Sequence, residues 1–243
     1  MGEPAVKLIG TFGSGFSHRV EVVLRLKVVP YEVVLEVLRN KSDLLLTHNP
    51  VHKMIPVLLH GDRPAICESL VIIEYVDEAF AGPSILPTDP HKRAEARFWA
   101  RFIDEKFARP FWMSFWSTAD VGGKVQEAFV NEAKGNLLLL EGQLNGNSFF
   151  GGDTMGLVDI AAAGLAHWLG VFEEICGVTL VTNEEFPGLT RWAKAYVEDE
   201  HVKQCLPERG QLVAMFSACR EMFRMFKKKR DVPSDGDSAE VID

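Results

Sequence analysis

The chain has 243 residues, 47% of them hydrophobic and 25% charged, a mixture that can build the core of one large or two small domains. Its net charge of −8 argues against nucleic acid or an anionic membrane as the main partner. The N-terminal residues lack the cationic flank and apolar run of a signal peptide, and no apolar stretch approaches the roughly 18 residues that cross a bilayer.

The spacing of cysteine and histidine indicates neither a disulfide framework nor a metal site. The 4 cysteines are scattered without a CxxC pair, as is typical of reduced core thiols in a protein of this length. His48 and His52 have the spacing of a helical zinc site, but Pro50 between them prevents one shared helical face. We therefore expect a cytoplasmic protein that holds no metal.

The first eighty residues alternate between short strands and short helices. Apolar runs and alternation predict strands over 6–9, 31–36, 55–59 and 64–67. Helical spacing predicts helices over 16–27, 42–48 and 69–78. Ser42 opens the second helix, which Asn49–Pro50 ends because the residue before a proline avoids the helical region, and Ser69 is a favourable N-cap residue for the third helix. The order βαβαββα is that of a thioredoxin-like α/β domain.

Beyond this domain the chain reads as helical. Residues 81–90 are rich in glycine and proline and have no period, which predicts an interdomain linker after a first domain over 1–80. Helical spacing then predicts an all-α domain over 91–230, with an almost wholly apolar helix over 157–175 in its centre and a last helix over 202–229. The acidic residues 231–243 predict a disordered tail.

The loop between the first strand and the first helix carries Ser14 and Ser17, at the spacing of the cysteines of a thioredoxin CxxC motif. Without a thiol the site cannot exchange disulfides, but it can bind the thiolate of a ligand. A hydroxyl that donates to sulfur and the N-terminus of a helix both favour the charged form. The simpler interpretation is that Ser14 only caps the helix.

Two further segments have the chemistry of a peptide-binding site. Pro56, directly before a predicted strand, suits a cis peptide bond next to a strand edge that can pair with a ligand backbone. Ser69 and the first amides of the third helix can hold a carboxylate, and Glu68 can accept an ammonium group. Lys41 and Lys53 are cations available for a second carboxylate. The alternatives are a strand-initiating proline, a simple cap and solvated lysines.

Together and in this order, these features resemble the glutathione transferases. The similarity to the tau class of plants runs from about Val6 to Phe226. It lies mainly in the segments Asn40–Ser42, Asn49–Lys53, Ile55–Leu58, Glu68–Ser69 and Ala96–Ala100. The resemblance implies the cytosolic glutathione transferase fold, a thioredoxin-like domain followed by a helical bundle, assembled as a homodimer.

The resemblance also assigns roles to residues. It implies that Ser14 is the catalytic serine and that Pro56 is the cis-proline. The implied glutathione contacts are Ser14, Lys41, Lys53, the backbone of Ile55, Glu68 and Ser69. Glutathione is then a co-substrate, with no other cofactor. The chain departs from the class where Gly15 replaces a proline at the first helical position, and we expect the glycines around Ser14 to loosen its placement.

An aromatic set in both domains is the candidate site for the electrophile. Its members are Phe16 in the first domain and Phe107, Phe111, Phe115, Trp168 and Phe216 in the second. An aromatic stripe can equally belong to the core, whereas an apolar pocket would suit flat, hydrophobic electrophiles.

The function implied by the resemblance is conjugation of the glutathione thiolate to hydrophobic electrophiles, in detoxification and stress response, with side activity on organic hydroperoxides. The alternatives are a carrier of glutathione conjugates or apolar metabolites with little turnover, and a structural module that would not need Glu68 and Ser69.

Overall fold

A four-stranded mixed sheet organises the first part of the chain in the computed structural model, which describes residues 6–108 and 124–230. Its strands are β1 (Val6–Gly10), β2 (Tyr31–Leu35), β3 (Val57–His60) and β4 (Ile66–Cys67), in the spatial order β2-β1-β3-β4. β1 pairs with β2 in parallel, and β3 pairs antiparallel with both β1 and β4. The predicted thioredoxin-like order of strands and helices is therefore confirmed.

Three helices cover the two faces of this sheet: α1 (Gly15–Leu26), α2 (Asp43–His48) and α3 (Ser69–Ala79). Successive residues of a strand point to opposite faces, and the core divides accordingly. The main core includes side chains from α1, α3 and one face of β1 and β3, among them Leu8 and Leu58. A smaller cluster joins the other face to α2, through Ile9, Val57 and Leu45.

The second part is a helical bundle. Its α-helices are α4 (Pro90–Ile103), α5 (Lys124–Leu144), α6 (Leu157–Ala161), α7 (Leu169–Cys176), α8 (Pro187–Glu198), α9 (Glu200–Lys203) and α10 (Arg209–Arg230). Wider π-helical turns follow α4 at Asp104–Ala108 and precede α7 at Gly164–Trp168. None of the helices in the described parts of the chain is long and apolar enough to span a membrane.

Two of the predicted helices are broken. The stretch 157–175 forms α6, which ends at Ala161, then a π-helical turn and α7; Gly164, the first residue of that turn, has a low helix propensity. The stretch 202–229 is divided between α9 and α10. Pro207 lies between them, and a proline both lacks an N–H and restricts the residue before it.

A buried ion pair anchors the chain between α3 and α4. Lys27 Nζ lies 2.7 Å from Asp77 Oδ1, and Asp77 also accepts a hydrogen bond from the Ile85 backbone N–H at 3.0 Å. The Ile85 carbonyl in turn accepts from Leu157 N–H at 2.7 Å, at the start of α6. The segment 80–89 between these helices, which overlaps the predicted linker 81–90, is thus tied to both the sheet part and the bundle.

Candidate active site

The predicted site segments leave the sheet at one edge. In the antiparallel register Ile9 lies opposite Val57, and Val57 lies opposite Cys67. The end of β1, the start of β3 and the end of β4 are therefore neighbours. The loop that holds Ser14, the Ile55–Pro56 segment and the Glu68–Ser69 pair consequently begin or end side by side.

Ser14 is the N-cap of α1. Its backbone is extended, with φ −80° and ψ 112°, and its Oγ accepts a hydrogen bond from Ser17 N–H at 3.1 Å. A side-chain oxygen in this place satisfies one of the free amides at the start of a helix. Because Oγ is the acceptor in that bond, the hydroxyl hydrogen can still be donated to a ligand. The capping role and the thiolate-binding role are therefore compatible.

The loop around Ser14 is held by the helical bundle. Trp168 Nε1 donates a hydrogen bond of 2.7 Å to the carbonyl of Gly13. Gly13 has φ +76°, and a Cβ at this position would lie only 2.5 Å from Met215 Cε. Gly13, one of the two glycines that we expected to loosen the loop, instead permits a left-handed turn and a close approach of α10.

Ser69 is the first residue of α3 and not its N-cap, which corrects the sequence assignment. Glu68 occupies the cap position with φ +71° and makes no side-chain cap hydrogen bond. The reason is that the Ser69 side chain is buried and its Oγ accepts a hydrogen bond from Arg19 Nη1 at 3.1 Å. As at Ser14, the hydroxyl hydrogen of Ser69 can still be donated.

Arg19 is a site residue that the sequence reasoning missed. Besides Ser69, its buried guanidinium contacts Asp104 Oδ1 at 2.7 Å and the carbonyl of Ala161. Its Cζ also lies 4.9 Å from the ring centre of Phe16. The available signal was a cation within the apolar face of α1, but its partners are too distant in sequence to be identified by spacing.

Asn49 shapes the loop that presents Lys53 and Ile55. Its buried side chain donates to the carbonyl of Met54 at 2.9 Å and accepts from His52 N–H at 3.1 Å. Lys53 has φ +55° and an exposed side chain, and the Ile55–Pro56 peptide bond is cis.

This loop also approaches the start of α3. His52 Nε2 lies 3.9 Å from Glu68 Oε1 at the surface. Both side chains of this pair remain largely exposed to solvent.

Glu36 is a second residue that the sequence reasoning missed. Its hydrogen bonds to Ser42 fix the segment that carries Lys41. Its buried carboxylate accepts from Ser42 N–H at 2.8 Å and from Ser42 Oγ at 2.6 Å. The Glu36 N–H donates to the carbonyl of Gly10 at 2.7 Å. Lys41 is exposed and is thus held near the end of β1, on the same edge as the Ser14 loop.

The chain matches two sequence models of one family. Residues 13–79 match the model described as the glutathione S-transferase N-terminal domain, and residues 104–200 match its C-terminal domain. A probable glutathione S-transferase of Nicotiana tabacum is 49% identical over 88% of this chain and 93% of its own length. Glutathione S-transferase U8 of Arabidopsis thaliana is 46% identical over 89% of this chain and 95% of its own.

The chain belongs to the glutathione S-transferase family.

Solved structures give the same assignment. A tau class glutathione S-transferase from mango superposes with a TM-score of 0.80 at 41% identity, over 88% of this chain and 98% of that one. Rice GST1, solved in complex with glutathione, also has a TM-score of 0.80, at 32% identity over 91% and 99% of the two chains. The tau class, the two-part fold and the activity of a glutathione transferase, all predicted from the sequence, are confirmed.

The aromatic candidates for the electrophile site of this transferase occupy different environments. The Phe16 ring, at the first turn of α1, is 38% exposed. Phe107, Trp168 and Phe216 are each 3% exposed: Phe107 packs in the main core, and the other two lie in a cluster with Leu212. Phe111 and Phe115 lie outside the described residues. Among the four described candidates, Phe16 alone presents an exposed ring.

The buried His18 lies in the first turns of α1, the helix that Ser14 caps. His18 Nδ1 lies 3.3 Å from the carbonyl of Cys205 and its Nε2 lies 3.2 Å from Tyr196 Oη. The carbonyl can only accept, so Nδ1 carries the proton and Nε2 accepts from the tyrosine. Burial lowers the pKa of His18 to about 3, outweighing the opposite effect of the Cys205 hydrogen bond. The ring is therefore neutral at physiological pH.

No metal site is apparent in the described parts of the transferase. Over residues 6–108 and 124–230, no group of three or more His, Cys, Asp or Glu side chains could hold a metal ion.

Proposed function

We propose that this glutathione transferase ionises its thiol substrate with Ser14 and conjugates it to hydrophobic electrophiles. The observation that carries the proposal is the position of Ser14, which caps α1 while its hydroxyl hydrogen remains available, beside the edge where Ile55, Glu68 and Ser69 lie. The rice relative solved with glutathione supports binding of the same tripeptide here.

Two interactions lower the pKa of the glutathione thiol in this proposal. A reduction by two units from about 8.5 requires roughly 2.7 kcal/mol. A charge-assisted hydrogen bond from Ser14 supplies about 1.5–3 kcal/mol, and the dipole of α1 about 0.3–1 kcal/mol. Ser14 is thus a stabiliser of the thiolate and not a nucleophile. The remaining rate enhancement comes from holding the thiolate next to its acceptor.

The rest of the tripeptide is held by its charged ends and its backbone. The hydroxyl of Ser69 and the first amides of α3 bind one carboxylate, and Glu68 binds the ammonium group. Arg19 fixes the Ser69 oxygen by donating to it, so that the hydroxyl hydrogen is directed away from the guanidinium. The backbone of Ile55 pairs with the cysteinyl backbone, and Lys41 and Lys53 neutralise the second carboxylate.

The acceptor in this proposal is a flat, apolar electrophile bound beside Phe16, the exposed candidate ring. Conjugation would serve detoxification and the stress response, and the same thiolate would reduce organic hydroperoxides at a lower rate. We further propose that the protein is cytoplasmic, with no membrane or nucleic acid as a partner, in agreement with its net charge of −8.

We also propose a homodimer in which α3 and α4 face a second copy of the chain. Arg97 on α4 joins Glu74 on α3 at 2.6 Å, and the two helices carry Val71 and Phe98 with exposures of 55% and 62%. Exposed apolar residues on adjacent helices are suited to an interface between copies.

The test of the proposed function is conjugation of 1-chloro-2,4-dinitrobenzene by glutathione. Ser14→Ala should lower kcat/KM at pH 6.5 by about 50-fold, because a thiol pKa that rises from about 6.5 to about 8.5 reduces the thiolate fraction at that pH by this factor. Ser17→Ala is the matched control and should stay within about threefold of the parent. It leaves the N–H that Ser14 accepts, and its buried Oγ has no hydrogen-bond partner among the described residues.

Other outcomes separate the alternatives. Retention on immobilised glutathione without turnover would favour the carrier, and failure to bind glutathione would contradict both the enzyme and the carrier. Ser14→Cys should replace conjugation by thiol transfer, because the missing thiol defines the chemistry of the loop.

A further inference from the structure

We propose that Trp168 is a positioning residue whose indole N–H fixes the loop that aims Ser14 at the glutathione sulfur. The sequence placed Trp168 among the candidate residues of the electrophile site, whereas the structure gives it contacts to the serine loop. The inference rests on the proposed role of Ser14.

The first contact fixes the peptide immediately before the serine. Trp168 Nε1 donates to the Gly13 carbonyl at 2.7 Å, and the indole is only 3% exposed. A hydrogen bond in such a shielded place is not replaced by water when it breaks, so the carbonyl is held in one direction. Because the peptide plane of Gly13 and Ser14 is rigid, this bond also sets the direction in which Ser14 leaves the loop.

The second contact lies on the other side of the serine. A Cβ built at Gly15 would be 3.8 Å from Trp168 Cδ2, which is ordinary van der Waals distance. The indole ring therefore lies beside Gly15 with room for one more carbon atom, while its N–H holds Gly13. One side chain thus bonds one of the residues that flank Ser14 and lies next to the other.

Trp168 is itself held rigidly. It ends the π-helical turn Gly164–Trp168, a type of irregularity that often occurs at functional sites. Its ring lies 5.1 Å from that of His18, which is in turn fixed by Tyr196 and the carbonyl of Cys205. The apolar cluster with Leu212 and Phe216 packs around it. A side chain braced in this way can hold a loop in one conformation.

The contacts of Trp168 take the place of the backbone restriction that a proline would give the loop. A proline at the first helical position would preset φ at the start of α1, but this chain has Gly15 there. A glycine on each side of Ser14 leaves the free loop many backbone conformations. The hydrogen bond of Trp168 and its ring beside Gly15 favour one of these conformations. The helical bundle therefore holds the catalytic loop in a single conformation.

The test compares the removal of two buried indole N–H groups. Trp168→Phe keeps an aromatic ring but cannot bond Gly13. Trp192→Phe is the matched control, because Trp192 Nε1 donates to Asp159 Oδ1 at 2.8 Å, a carboxylate within the bundle. The pH dependence of kcat/KM and the thiolate absorbance of bound glutathione are measured for both variants and for Ser14→Ala.

We expect Trp168→Phe to raise the apparent pKa of the bound thiol by about one unit, which lowers the thiolate fraction and hence kcat/KM at pH 6.5 about fivefold. The KM for glutathione should change less than about twofold, because the groups that hold its charged ends are untouched. Trp192→Phe should lower the thermal stability and leave the thiol pKa unchanged. A loss of stability alone would not raise the thiol pKa in one tryptophan variant and leave it unchanged in the other.

The inference is overturned if Trp168→Phe leaves the thiol pKa unchanged, or if both tryptophan variants shift it equally, while Ser14→Ala remains inactive. If Ser14→Ala keeps full activity, the proposed function itself is contradicted. If Trp168→Phe does not fold, the same profile is measured in the Trp168→Phe, Gly15→Pro double variant, whose proline stabilises the loop. The proline restricts only φ at position 15 and leaves the Gly13 carbonyl without its donor, so the thiol pKa of the double variant should still exceed that of Gly15→Pro alone. Equal values in these two variants would overturn the inference.

Discussion

Arg19 lies in a buried polar cluster that connects the start of α3 to the turn after α4. Its two terminal nitrogens contact Ser69 Oγ, Asp104 Oδ1 and the carbonyl of Ala161. A planar guanidinium can serve several acceptors at once in fixed directions, which an ammonium group cannot do. The residue therefore combines a structural contact between the two parts of the chain with the orientation of a proposed glutathione ligand.

We predict that Arg19→Lys raises the KM for glutathione several-fold and lowers the free energy of unfolding by about 1–3 kcal/mol, because buried acceptors lose a donor. Steady-state kinetics and urea denaturation measure the two effects. Arg101→Lys is the control: its partner Glu105 lies at 2.7 Å on the surface, where an ion pair contributes about 0–1 kcal/mol. Equal effects of the two substitutions would contradict the role given to Arg19.

His18 makes the stability of the protein depend on pH. Its folded pKa of about 3 lies below the ordinary histidine pKa of 6.5, because burial disfavours the charged ring. Below pH 6.5 the unfolded chain binds a proton that the folded protein does not bind. Stability is thus complete above that pH and is lost as the pH falls towards 3.

The expected loss from His18 is about 2 kcal/mol at pH 5 relative to pH 7.5, from about 1.36 kcal/mol per pKa unit. His18→Gln should flatten the curve of unfolding free energy against pH by about this amount. His91→Gln, at a surface histidine, should leave the curve unchanged. A curve for His18→Gln that is as steep as that of the parent would show that other groups cause the slope.

At the scale of elements, the two glycines at the start of α1 differ in whether the packing of the helical bundle requires a glycine there. Gly13 needs its left-handed backbone and its missing Cβ, since Met215 and Leu212 approach it directly. Gly15 has neither requirement, because a Cβ there would make an ordinary contact with the Trp168 ring.

Gly15→Pro should therefore raise the free energy of unfolding by about 0.4–1 kcal/mol, because it restricts the unfolded chain at a position compatible with proline. The kcat should stay within about twofold, since Trp168 already orders the loop. Gly13→Ala is the contrasting variant and should lower stability by about 1–3 kcal/mol through backbone strain and the contact with Met215. Urea denaturation of both variants measures the difference; destabilisation by Gly15→Pro would contradict the loop geometry.

The order of strands and helices in the first part followed from local patterns alone. Period-two and period-3.6 runs marked the strands and helices, and Asn49–Pro50 ended α2 as predicted. β3 begins at Val57, after the cis Ile55–Pro56 bond, and not at Ile55, because a proline cannot donate to the strand ladder. Gly164 and Pro207 both have low helix propensity, which is a signal for the two breaks. The sequence reasoning gave more weight to the apolar pattern and so predicted continuous helices.

At the scale of the whole molecule, the exposed faces of α3 and α4 provide the test of assembly. Phe98→Glu should convert the proposed homodimer to a monomer, because a charge would be buried in the apolar interface. Sedimentation equilibrium measures the mass. Val28→Glu, at an exposed apolar residue outside these two helices, should leave the mass unchanged. A parent chain that is monomeric at micromolar concentration would contradict the dimer.

The sequence by itself determined the element order and the segments of the candidate site. Serine before a helix, proline before a strand and Glu68–Ser69 at the start of another helix are local signals, and a local signal can be read from adjacent residues. Spacing along the chain also sufficed to predict a thioredoxin-like domain followed by helices.

Only the tertiary structure decided how Ser14 and Ser69 are held. Arg19 and Ser69 are fifty residues apart, and the Trp168 bond to Gly13 crosses from the bundle to the first domain. Such contacts depend on how elements pack, and periodicity gives only the face that is buried, not its partner. For this reason we expected from the sequence that the two glycines around Ser14 would loosen the loop. In the folded protein Trp168 instead bonds the Gly13 carbonyl and lies beside Gly15.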